Sequence, residues 1–205
     1  MSMKVKQVKS KIVITERLDM NPLIKEDKKM QARGPLMIEH RLIERMLVVV
    51  KDEVKRIISS NKVNPLFIDT VVDFIKTYAD RTHHGKEEDI LFEELKEKPL
   101  TSEDREMMDE LIKEHIFGRL TTKALVQAND RYRSGVKEAL KEIVEKLQTL
   151  TDFYPKHIEK EDKLFFPSVR KYFKEKEEQN MLSEFLEFDA KMIHEKYNEV
   201  VERYK

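Results

Sequence analysis

Four of the six histidines in this chain fall into a pattern that occurs twice. The first copy reads Glu39-His40, then His83-x-x-x-Glu87-Glu88-x-x-Leu91-Phe92. The second reads Glu114-His115, then His157-x-x-x-Glu161-Asp162-x-x-Phe165-Phe166. His115 follows His40 by 75 residues, while His157 follows His83 and Glu161 follows Glu87 by 74. A register held this closely through otherwise unlike sequence implies one helix pair used twice. Residues four apart share a helix face with their Cβ atoms roughly 6 Å apart, so His83 with Glu87 and His157 with Glu161 each present an imidazole and a carboxylate together. His40 and His115 are expected from the partner helices. Two imidazoles and a carboxylate per half suit non-haem iron with positions left for water or a small molecule. Zinc and manganese also accept nitrogen and oxygen ligands, so ligand type leaves the metal open. The candidate metal ligands are His40, His83, Glu87, His115, His157 and Glu161.

His84 and Glu88 have the same spacing one residue later. When Leu91-Phe92 is matched to Phe165-Phe166, however, His83 falls on His157 and His84 falls on Ile158. One residue turns a helix by about 100°, so His84 is expected to point away from the seam that His83 occupies, as a half-exposed or orienting group.

These residues must be positioned by a helical framework, and the whole chain provides one. Its 205 residues suffice for a single domain with a substantial core. Forty basic and forty acidic side chains cancel, so nothing favours nucleic acid or an anionic membrane as a partner. With no cysteine, disulfides, thiolate catalysis and cysteine-held iron–sulfur clusters are excluded. The basic start, Lys4 to Lys11, precedes no apolar run of signal-peptide quality, and no stretch of about 20 apolar residues occurs. A cytoplasmic protein is the expectation.

Residues 1–33 read as a polar arm whose Val13, Ile14, Leu18 and Leu23 could pack locally. Helical periodicity dominates afterwards. Pro35 opens a helix with the stripe Leu36, His40, Ile43, Leu47, Val50, Val54 and Ile57. Asn64-Pro65 opens a second helix that carries His83 and Glu87 and closes at Pro99; Gly85 within it reads as a tolerated surface glycine. Thr101 or Ser102 caps a third, through His115 to about Asn129. A fourth is expected from Arg131 through His157, bent or broken at Pro155 and again at Pro167. After a Lys/Glu-rich turn near 174–179 comes a fifth, which carries His194 as a surface or packing histidine and could cover the bundle or form a homo-oligomer contact. The fold class is all-α: an up-down four-helix bundle over 34–173, with the arm before it and an additional helix at 179–205.

The paired H…H-x-x-x-E pattern with its following Leu-Phe or Phe-Phe resembles the hemerythrin-like, or HHE cation-binding, domains over about residues 35–170. The resemblance implies two iron ions held by His40, His83, His115 and His157, bridged by Glu87, Glu161 and an oxo or hydroxo group, with zinc or manganese as substitutes. Oxygen-carrying members have a fifth histidine one turn after the third-helix ligand, where this chain has Arg119. This departure favours the four-histidine branch that resembles iron-repair proteins and iron- or oxygen-sensing domains. His84 or His194 could replace the missing ligand in space.

Such a centre implies a small diatomic or peroxide ligand and an electron donor. Glu44 and Arg119, each four residues after an equivalent histidine, are expected to pair across one side of the site. Tyr154 reads as an aromatic core residue or, alternatively, a proton donor. Three functions follow: binding or reduction of a small oxidant, iron or oxygen sensing or storage through a protein partner, and a structural bundle with a spare site.

Overall fold

The structure, a computed structural model, describes residues 31–203, so the local packing expected in the arm lies outside the described residues. All regular structure described is helical. Helix α1 is Arg33–Ser60, ended by Asn61 in a left-handed conformation. It begins two residues ahead of Pro35, which sits in the first turn, where a missing N–H leaves nothing unpaired. Helix α2 spans 65–96 as one rod: α-helical at Pro65–Phe74, π-helical at Ile75–His84 and Glu87–Leu91, and α-helical again at Phe92–Lys96. The Asn64 side chain caps its start through Leu66 N. Helix α3 is Ser102–Arg133, with Thr101 as the cap that accepts from Asp104 N. Helix α4 spans 139–172: Ala139–Lys160, a π-helical turn at Glu161–Phe165, Phe166–Val169, and a closing 3-10 turn Arg170–Tyr172. Helix α5 is Glu175–Arg203.

Several boundaries differ from expectation. The fourth helix starts at Ala139, not Arg131, because α3 keeps Arg131 and Arg133 in its last turn, favourable to the negative helix end, and Gly135 then takes a φ of +98°. Pro155 lies inside Ala139–Lys160 without breaking it, and Pro167 leaves helix running on to Tyr172. Residues 175–179 form the start of α5, where Glu175, Glu177 and Glu178 suit the positive helix end.

Short connections make sequential helices antiparallel, and α1 closes the bundle against α4. The apolar stripes build two clusters instead of one. The first joins Ile43 to Ile57 of α1 with Ile68, Val71, Ile75 and Ala79 of α2, Leu125 of α3 and Ile143 to Ile158 of α4. The second joins Leu36, Ile90, Phe92, Leu95, Leu111, Phe165 and Phe166 with Met181 and Phe185 of α5. Positions 40, 83–87, 115 and 157–161 fall between these stripes on every bundle helix, so a polar layer crosses the bundle with hydrocarbon above and below.

Helix α5 lies along the π-helical part of α2. Lys86 donates to Asp189 at 2.7 Å, Arg81 to Glu195 at 3.3 Å and Lys196 to Asp73 at 2.8 Å. Gly85 is therefore no surface glycine: a Cβ there would come within 2.7 Å of the Phe188 ring. Gly85→Ala gains up to about 1 kcal/mol of helix propensity but overpacks this contact at a cost of about 1–3 kcal/mol. A net loss is expected in urea denaturation, with recovery in Gly85→Ala/Phe188→Leu. Stabilisation by Gly85→Ala alone would show that the ring moves aside freely.

Candidate metal centre

The polar layer contains the six residues singled out by the doubled motif. His40, His83, Glu87, His115, His157 and Glu161 are all buried. Each carboxylate spans both halves. Glu87 places Oε1 3.6 Å from His83 Nε2 and Oε2 3.4 Å from His115 Nε2. Glu161 places Oε2 3.1 Å from His40 Nε2, and Oε1 3.2 Å from His157 Nε2 and 3.6 Å from His115 Nε2. These approaches lack hydrogen-bond alignment. Among the described residues, the Nε2 atoms of His40, His83, His115 and His157 and all four carboxylate oxygens of Glu87 and Glu161 are buried without a hydrogen-bond partner.

The opposite ring nitrogens are fully engaged. His40 Nδ1 bonds Asp162 at 2.8 Å, His83 Nδ1 bonds Glu39 at 2.9 Å, His115 Nδ1 bonds Glu88 at 2.6 Å and His157 Nδ1 bonds Glu114 at 2.7 Å. A carboxylate at Nδ1 fixes the tautomer that keeps the proton there and turns the Nε2 lone pair into the layer. The pattern is reciprocal: the acid before each first-helix histidine holds the second-helix imidazole, and the acid after each glutamate holds the first-helix imidazole. Each acid has its own cation. Lys86 bonds Glu39, Lys160 bonds Glu114 at 2.5 Å, Arg119 bonds Glu88 at 2.8 Å and Arg41 bonds Asp162. The closing phenylalanines of the motif complete the relation, with Phe166 stacked on His40 and Phe92 on His115, ring centres 5.9 and 6.1 Å apart.

Reading the sequence assigned no role to Glu39, Glu88, Glu114 or Asp162, although all four stand beside a candidate ligand in both copies of the motif. Lys86 and Lys160, each immediately before the glutamate, carried the same signal. The expected Glu44–Arg119 pair does not form. Glu44 meets Arg41 at 3.1 Å on the surface, and Arg119 is held by Asp80 and Glu88, at 2.7 and 2.8 Å. His194 is exposed on α5.

His84 departs most from expectation. It is buried and stacks on His115, ring centres 3.9 Å apart and planes 11° apart. The turn of the helix does separate it from His83, as periodicity requires, but α2 lies between α1 and α3. Rotation away from His40 is rotation toward His115. Beside His84 a cavity of about 310 Å³ is lined by Asp80, Arg119, Thr122 and Tyr154.

Without a cation the layer is electrostatically frustrated. Burial first, and then the charge of Glu161, push the Glu87 carboxyl well above the usual range. Burial would raise Glu161 too, but His157, His115 and His40 outweigh it and hold that carboxyl well down. Burial drives His83 down to about 4 despite Glu39. It also opposes charge on His40, yet Asp162 and Glu161 prevail and raise that imidazole to about 9. Buried lone pairs on four imidazoles and two spanning carboxylates are a donor set for two divalent cations, and binding such ions would remove the frustration.

The chain matches the model of the hemerythrin HHE cation binding domain over residues 35–169. It belongs to that family. No curated protein and no solved structure matches it. No described helix is long and apolar enough to cross a membrane.

Two predictions follow from the outer carboxylates and the protonation pattern. Asp162→Asn and Glu88→Gln are expected to weaken metal binding by about 10–100-fold while leaving the fold intact, as measured by competition with a chromophoric chelator. Unchanged affinity would show that the Nδ1 partners do not orient the ligands. For the metal-free protein, the folded pKa of His40 lies above its ordinary value of 6.5, and that of His115 is raised as well. The stabilisation from His40 is fully present below pH 6.5 and is lost as pH rises through about 9, and that from His115 runs in the same direction. The melting temperature of metal-free protein should therefore fall by on the order of 5 °C between about pH 7 and 9.5; a rise across that range would contradict the assignment.

Proposed function

We propose that this chain holds two iron ions between Glu87 and Glu161 and uses them to bind or reduce a small oxidant: dioxygen, peroxide or nitric oxide. The observation that carries the reading is the set of eight buried, unpartnered nitrogen and oxygen atoms contributed by the six motif residues. A buried polar atom without a partner costs on the order of 1–3 kcal/mol, so eight together in one layer call for an occupant. Zinc or manganese would fit the same donors.

Reduced iron, when bound, supplies one electron per ion to such an oxidant. The chain contributes the environment. Glu87 and Glu161 reach both halves and so hold the two ions at one spacing, while the Nδ1 carboxylates keep the four imidazoles aimed. The apolar clusters on either side exclude water along the bundle axis. The cavity beside His84 is large enough to admit a small molecule next to the layer. Burial pushes the Tyr154 hydroxyl upward, so it keeps its proton and can donate a hydrogen bond to a polar guest in that cavity. Arg119 reaches the cavity already neutralised by Asp80 and Glu88, which suits an uncharged oxidant better than an anion. Repeated turnover would take electrons from a separate donor.

Anaerobic iron titration with elemental analysis is expected to saturate at two irons per chain, and His83→Ala and His157→Ala each to lose about half the iron or more. Admitting oxygen to the reduced protein should produce near-ultraviolet charge-transfer absorption. Saturation at one iron would exclude the dinuclear reading, and an unchanged stopped-flow trace would exclude the redox one.

A further inference from the structure

We propose that His84 is a third histidine ligand on the half of the centre built by His115 and His157, so that the two metals are held unequally, by three imidazoles and by two. This rests on the dinuclear reading above and goes beyond it, since the doubled motif gives each half two histidines. Ligand nitrogens of His84, His115 and His157 all lie within 4.8 Å of one another, separately from the cluster of His40, His83, Glu87 and Glu161. That is a set able to close around one ion.

The rest of the environment leaves His84 little else to do. Its side chain is buried, yet its one hydrogen bond among the described residues is a long contact, Nδ1 to Asp80 at 3.4 Å. A histidine that merely filled space would give up its hydration here for less than an apolar side chain offers. The motif repeat supplies that comparison within the same molecule. Ile158 occupies the equivalent place on α4 and packs in the apolar cluster. Asp80 stands toward His84 as Glu88 stands toward His115, and Arg119 grips both acids at 2.7 and 2.8 Å. One guanidinium thus ties together the Nδ1 partners of two neighbouring imidazoles. The chain geometry agrees. His84 ends the π-helical stretch that begins at Ile75, and the wider turn of such a stretch lets adjacent residues His83 and His84 address the two halves from one helix.

Cobalt(II) titration of metal-free protein tests this, with binding followed by d–d absorption and elemental analysis in the parent, His84→Gln, His84→Ala and, as a control, His194→Gln. The parent and His194→Gln should bind two cobalt ions per chain. Both His84 variants should keep one ion at parental affinity and bind the other at least tenfold more weakly, with altered d–d intensity. Two ions bound at parental affinity with parental spectra in the His84 variants would overturn the proposal and leave the dinuclear reading standing; fewer than two in the parent would overturn both. If the variants fail to fold, the parent alone decides through its proton NMR spectrum. Each cobalt-bound imidazole contributes one exchangeable, hyperfine-shifted Nδ1–H resonance. Five such resonances are expected, and four would remove His84 from the ligand set.

Discussion

Two buried carboxylates facing one another across the middle of a helical bundle, with no hydrogen-bond donor at either among the described residues, set the problem that the rest of this structure answers. Glu87 and Glu161 are wholly buried. An ionised carboxylate in hydrocarbon is among the costliest groups a protein can contain, and a second one nearby raises that cost. Imidazoles surround the pair, and His40, raised to about 9, can carry positive charge beside Glu161, but burial keeps His83 neutral and pushes the Glu87 carboxyl well above its usual range. Positive charge placed between the carboxylates would satisfy the arrangement, with the Nε2 atoms turned inward and the Nδ1 atoms bonded outward to acids.

The solution is built in concentric layers from a repeated piece of sequence. Inner imidazoles are held by four acids, those acids by Lys86, Lys160, Arg41 and Arg119, and the closing aromatics Phe92 and Phe166 floor the two first-helix imidazoles. The repeat is nonetheless broken in ways that distinguish the halves. Lys86 is sealed beneath α5 by Asp189, whereas Lys160 stays near solvent with Glu110. His84 faces the third helix where its counterpart Ile158 joins the core. A cavity opens on the His84 side. The repeated scaffold thus has one half covered by α5 and one half beside a cavity.

The fold was legible because periodicity and punctuation agree: apolar stripes on four helices, Asn64-Pro65 and Thr101 as starts, and the short breaks between them. The six inward residues were legible because they recur in pairs 74 or 75 residues apart. What escaped has a common cause. Periodicity says which way a side chain points relative to its own helix, not what stands there. His84 was expected to leave the site because it rotates away from His83, yet a helix wedged between two partners has two inward faces. Gly85 looked like a surface residue until α5 placed Phe188 against it. The Nδ1 acids were present in both copies of the motif, but surface-type acids beside histidines carry no sign of burial. The π-helical turns at 75–84, 87–91 and 161–165, which carry His83, His84, Glu87 and Glu161, have no residue signature of their own.

What lies between Glu87 and Glu161 decides the function of the layer. A crystal structure of protein purified without added zinc, with anomalous diffraction recorded on either side of the iron absorption edge, addresses that point directly. Two iron peaks per chain are expected between those carboxylates, one beside His40 and His83 and the other beside His115 and His157. A single peak, or a layer closed by hydrogen-bonded water with no anomalous scatterer, would contradict the dinuclear reading.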